Sequence, residues 1–157
     1  MANSQLENIL IAITAWEITV NTGVASEVIT AIAVTDHNAN VASPQLPVRI
    51  ISPVVNAFGG KIGKTGFGSG VRTAVWKLED LMLYRPITQV LTPGDAALTL
   101  VRYPVAYEHA VDTYRSVYTN ALIEEVEMET GVYAYPNGAK NLYYGVLCTL
   151  TIKEIIT

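Results

Sequence analysis

The sequence predicts an α+β fold: one domain, an antiparallel or mixed β-sheet with two helices packed on one face, and a long glycine-rich loop. Three features lead there. The chain opens on an amphipathic helix with its own capping residues. β-branched segments then follow in series, joined by turn residues and not by repeated helices. The C-terminal stretch alternates apolar and polar positions on both sides of Pro136-Asn137-Gly138, as a hairpin does. A chain of 157 residues suits a single domain, taken as 1–157. Half of its residues are apolar and only 15% are charged, against a usual share of about a quarter, which excludes a largely disordered chain. That apolar excess is met either by a larger core or by surface covered by partners.

Each element has a local reason. Ser4-Gln5-Leu6-Glu7 has the form of a capping box, in which Ser4 accepts from the amide of Glu7 and Glu7 reaches back. Leu6, Ile9, Leu10, Ile13 and Trp16 recur at helical spacing, predicting a helix over about 5–18 that Asn21-Thr22-Gly23 ends. Residues 28–34 read as a strand and 36–40 as a polar turn. Residues 46–55 are β-branched but hold Pro47 and Pro53; proline has no N–H to give to a ladder, so the expectation is an edge strand or two short strands. Residues 58–70, FGGKIGKTGFGSG, carry six glycines in thirteen positions and are expected to be an extended flexible loop, because glycine loses the most entropy on ordering.

Residues 71–84 fit both periods. Their Val, Thr and Trp content favours a strand over at least the first half, with Ala74, Trp76, Leu78 and Asp80 on one face, until Arg85-Pro86 ends it. Residues 95–101 read as a short helical segment, and Pro104 as the first turn of a second helix reaching about Tyr118 or Asn120. Residues 125–135 and Leu142–Ile156 are the hairpin strands; in the second, Leu142, Tyr144, Val146, Cys148, Leu150 and Ile152 share one face.

The chemistry that such a sequence usually advertises fails on spacing. Gly63-Lys64-Thr65 matches the end of a phosphate-binding P-loop, but the glycine required five places before Gly63 is Phe58, and Gly66-Phe67-Gly68-Ser69-Gly70 is poor material for the helix such a loop must open. His37 and His109 each sit beside an acid in sequence, where adjacent side chains do not converge on a metal. Cys148 is the lone cysteine; it excludes an intramolecular disulfide and falls mid-strand, as a core residue does. No catalytic, cofactor-binding or metal-binding residue is assigned. The N-terminus lacks the basic stretch of a signal peptide and its apolar run is too short for a membrane span, so the expectation is a soluble protein made in a cytoplasm.

Charge is segregated along the chain. Between His37 and Lys77 stand five bases, Arg49, Lys61, Lys64, Arg72 and Lys77, and no acid; between Glu108 and Glu129 stand six acids and one base, Arg115. Opposed segments of this kind attract each other between copies of a protein, or are two ordinary solvated faces. The residues expected to touch a partner are Lys61, Lys64, Phe67 and Arg72 on the basic side, and Glu124, Glu127 and Glu129 on the acidic side.

The order of segments resembles the small tail-terminator and neck (tail completion) proteins of long-tailed bacteriophages: a short capped helix, LPVRIISP, a long loop, VWKLEDLMLYRPI, a tyrosine-rich helix around YEHAVDTYRSVY, and a closing hairpin ending YYGVLCTLTIKE. The resemblance covers most of the chain. It implies a structural, non-enzymatic virion protein assembled in the host cytoplasm, a subunit of a homo-oligomeric, usually hexameric, ring at the head-proximal end of the tail. Its implied partners are other copies of itself, the tail tube protein and the head connector, with no cofactor, no membrane, and DNA only non-specifically through a lumen. The alternative is a nucleotide-binding or small-ligand-binding domain that uses the glycine-rich loop.

Overall fold

A computed structural model of the chain describes residues 5–21, 26–33, 46–53, 61–64, 72–89, 93–135 and 141–156. The first helix, α1 (Leu6–Thr14), buries Ile9 and Ile13 one turn apart, as the apolar spacing requires. It stops earlier than predicted. Ile18, Thr19 and Val20 are all β-branched and form β1 (Ile18–Asn21), which pairs antiparallel with β2 (Ser26–Ala33). Ile18 and Val20 are both buried in that strand; in a helix they would point about 200° apart and could not share one core. The start of α1 also differs from the expected capping box, of which Ser4 lies outside the described residues. The N-cap is Gln5, whose side chain makes no capping bond, and its amide donates instead to Glu154 Oε1 at 2.7 Å.

The strand expected at an edge is interior. β3 (Val48–Pro53) runs parallel to β2 and antiparallel to β5 (Arg72–Pro86). Its prolines bracket it: Pro47 precedes it and Pro53 is its last residue, so no ladder donor is lost from its middle. Part of the predicted loop is a strand too. β4 (Lys61–Lys64) pairs antiparallel with residues 72–75 of β5, along the stretch of that edge which β3 leaves free. Open ladder groups there compensate the glycine entropy that argued for a loop. The rest of the 58–70 stretch lies outside the described residues, as do Ser4, the polar turn at 36–40 and Pro136-Asn137-Gly138.

A single helix, α2 (Pro93–Thr113), replaces the two predicted around Pro104. Proline inside a helix costs about 3 kcal/mol. Against that, Thr99, Tyr103, Tyr107, Ala110 and Val111 follow one helical stripe through the proline and are all buried. Each buried aromatic removes roughly 150–250 Å² from water, or about 4–6 kcal/mol, so continuity wins.

The C-terminal hairpin forms as the alternation indicates, with β6 (Ala121–Ala134) antiparallel to β7 (Leu142–Ile156). β6 starts earlier than its alternation suggests because a bulge between Ile123 and Glu125 inserts Glu124 and puts two exposed acids in succession. Asn120, just before it, takes a left-handed conformation (φ 64°) that asparagine tolerates, and its carbonyl accepts from the Ile155 amide.

The sheet order is β1-β2-β3-β5-β7-β6, with β4 beside β5. Both helices contribute to one core, in which Ile9, Ile13, Tyr103 and Tyr107 meet Leu78, Met82, Val146, Cys148, Leu150 and Ile152. The α+β class and the shared helix-bearing face are therefore as predicted. A smaller cluster of Val48, Ile50, Leu83 and Tyr143 forms on the opposite face, with Tyr133 and Tyr135 against it. Gly145 makes that packing possible. Any side chain there would collide with the Met82 carbonyl, next to the register shift between Leu83 and Arg85. Tyr133 lies over the cross-strand pair Gly131 and Gly145, covering the backbone that the glycines expose.

Candidate functional site

The sheet sets the described partner-contact residues apart, with β4 and β6 on opposite sides of the β5–β7 pair. On one edge, β4 carries Lys61 and Lys64, with Lys64 in register with Arg72, itself exposed at the start of β5. On the other edge, β6 carries Glu124, Glu127 and Glu129, all exposed. Phe67 lies outside the described residues. So the structure gathers Lys61, Lys64 and Arg72 at one corner and the three acids along one strand, without bringing the two groups together in one copy. Glu124 is tied to Lys153 at 3.4 Å, but with 44% and 42% of the two side chains exposed this pair contributes well under about 1 kcal/mol. Glu127 and Glu129 border a shallow depression with Met128, Leu147 and Thr149.

One base of the predicted basic segment does not belong to that surface. Arg49 is completely buried. Alternation along β3 turns it to the helix-bearing face, where it meets Asp80 of β5, also completely buried. Arg49 Nη2 donates to Asp80 Oδ2 at 2.5 Å and Nε to the same oxygen at 3.1 Å. Tyr107 of α2 donates its hydroxyl to that carboxylate at 2.8 Å. Two further guanidinium hydrogens go to the end of α1: Nη1 donates to the Trp16 carbonyl at 2.8 Å, and Nη2 to the Ile13 carbonyl at 3.3 Å. Burial pulls the Arg49 pKa down, but the charge of Asp80 and the hydrogen bonds to it prevail and raise it, so the guanidinium keeps its charge.

α1 is thus gripped at both ends by groups whose charges suit its dipole. Glu154 of β7 sits at the N-terminus, accepting from the Gln5 amide and, at 2.8 Å, from Trp76 Nε1; Arg49 sits at the C-terminus. Sequence reasoning passes over these residues, although a signal is present. Asp80 falls on the same strand face as Ala74, Trp76 and Leu78, and a lone acid on an apolar face calls for a buried cation.

Burial also pushes the Tyr103 and Tyr107 hydroxyls and the Cys148 thiol well above their ordinary pKa values. The Cys148 thiol is therefore held protonated in the core, where it is a packing group and not a nucleophile. This polar centre ties α1, α2 and the sheet together; none of its side chains opens to a substrate.

One other depression among the described residues is shallow. Thr19, Asn21, Val101, Arg102, Val105 and His109 line an open depression between β1 and α2, where Arg102 Nη1 donates to the Asn21 carbonyl. His37 lies outside the described residues, and among the described residues no three His, Cys, Asp or Glu side chains are grouped to hold a metal. Among them, too, no helix is long and apolar enough to cross a membrane. Lys64, the lysine of the P-loop-like tripeptide, stands in a strand paired with β5, whereas a P-loop lysine opens a helix. No family model and no curated protein sequence matches this chain.

Proposed function

We propose that this chain is a structural virion protein, a subunit of a ring at the head-proximal end of a phage tail, acting as tail terminator or neck. The observation that carries the reading is the separation of charge across one sheet: a basic corner at β4 and the start of β5, and an acidic strand, β6, at the far edge. A surface with unlike opposite edges associates head to tail, and head-to-tail contacts close into rings when the rotation between copies allows it. The resemblance in segment order supplies the setting, and the α+β fold with both helices on one face agrees with it.

Within this reading the protein is not an enzyme. The ring touches the tail tube protein on one side and the head connector on the other. The rival reading, a nucleotide-binding domain, is disfavoured by the strand conformation of Lys61–Lys64.

Size measurement of the purified protein by light scattering, with negative-stain imaging, tests the proposal. Closed rings, and labelled protein located at the head–tail junction of assembled particles, are the expected results. A chain that stays monomeric at high concentration and binds ATP with magnesium in a Lys64-dependent manner would replace this reading with its rival.

A further inference from the structure

We infer that neighbouring copies join by strand addition: the open edge of β6 in one copy receives the β4 edge of the next, extending the sheet from subunit to subunit. This rests on the ring reading above and names its contact.

Among the described residues β6 is a long edge strand whose only ladder is with β7. Its first residues are already sealed. The Ile123 amide donates to the Arg115 carbonyl at 3.0 Å, Arg115 Nε returns a bond to the Ile123 carbonyl at 3.2 Å, and the Ala121 amide is taken by Tyr118. Over residues 125–134 the outward edge has no backbone partner among the described residues. Such a row of donors and acceptors is a template for another strand. It carries neither proline nor lysine to blunt it.

The charges on it select the occupant. Glu125, Glu127 and Glu129 pair with Thr151, Thr149 and Leu147, so all three lie on one face, the one away from the helices. Two β6 strands placed together would set these acids against each other, which opposes a symmetric dimer. The strand that fits is basic, and this chain has one at its opposite edge. β4 reads KIGK, and among the described residues it pairs only with β5. Its register puts residue 61 opposite Val75, on the face away from the helices, and residue 64 opposite Arg72. In a sheet continued from copy to copy with its faces kept, Lys61 therefore falls on the same face as Glu125, Glu127 and Glu129. The contact is heterologous by construction, each copy giving one edge and receiving the other.

Charge reversal in the full chain tests this by analytical ultracentrifugation. Two variants are made: Glu125→Lys/Glu127→Lys/Glu129→Lys on the acidic edge, and Lys61→Glu/Lys64→Glu on the basic edge. Each alone is expected to weaken self-association at least about tenfold, with unchanged circular dichroism. Mixed in equal amounts they are expected to assemble again, because each then offers the edge the other lacks. A Lys61→Cys/Glu127→Cys chain is expected to give disulfide-linked ladders under oxidation.

Rings that ignore both reversals, or reversed variants that do not recover on mixing together with a double-cysteine chain that gives no ladder, overturn strand addition while leaving the ring intact. A wild-type chain that never self-associates overturns the ring and this contact together.

Discussion

Asp80→Asn isolates the buried centre. The substitution keeps the shape of the side chain and removes its charge, leaving the Arg49 guanidinium completely buried with two carbonyl acceptors and no counter-charge. Breaking a buried ion pair from one side costs about 3–5 kcal/mol. The asparagine oxygen still accepts from Arg49 or from Tyr107, so the lower end of that range, about 3 kcal/mol, is expected. That is a large share of the roughly 5–15 kcal/mol that holds a domain together. With a urea slope of about 2 kcal/mol/M, the midpoint should fall by roughly 1.5 M at unchanged slope.

Arg49→Met alone should cost about as much, through an unpaired buried carboxylate and a lost bond to the Trp16 carbonyl. In the double variant Arg49→Met/Asp80→Leu no charge remains. The Ile13 carbonyl keeps its bond from the Trp16 amide, so the main orphans are the Trp16 carbonyl and the Tyr107 hydroxyl. The double variant should therefore cost at least about 2 kcal/mol less than the sum of the singles. Asp80→Asn unfolding within about 0.5 kcal/mol of wild type, or singles that simply add, would refute a dry, coupled pair.

Two further outcomes follow from the same framework. Glu154→Gln leaves one carbonyl oxygen for two donors, the Gln5 amide and Trp76 Nε1, and removes the negative charge at the start of α1. It should cost about 1.5–3 kcal/mol, with α1 amides exchanging faster than those of β5 and β7. Stability should also fall at alkaline pH. The folded chain holds protons on Cys148, Tyr103 and Tyr107 above their ordinary values of 9.0 for the thiol and 10.0 for the phenols, while the unfolded chain releases them there. With fewer protons bound unfolded than folded, unfolding free energy drops as pH rises, by up to about 1.4 kcal/mol per pH unit for each group. The contribution is complete below those ordinary values, and Cys148→Ala should abolish the part of the decline that begins near 9.0, measured by urea titration at stepped pH.

Local features are legible in the linear chain. The β7 face of Val146, Cys148, Leu150 and Ile152 follows from a two-residue period, and the Ile9–Ile13 stripe from a helical one, because each pattern is written within a few neighbouring residues. The two charged segments are equally plain as composition.

Placement is not legible in that way. Whether Pro47 and Pro53 weaken a strand depends on where that strand pairs, and β3 is interior with its prolines at the ends. Pro104 reads as a helix start, but the burial of Tyr103 and Tyr107 on either side of it outweighs the break. Arg49 counts as surface charge until folding carries it to Asp80, 31 residues away, and Glu154 reaches α1 across 149. That the bases at β4 and the acids of β6 stand on opposite edges is a matter of strand order, and no short window of sequence encodes it. Periodicity is a property of adjacent residues, so it survives in the linear chain; pairing partners are chosen by the total burial and hydrogen bonding of the finished sheet, which exists only once distant segments have met.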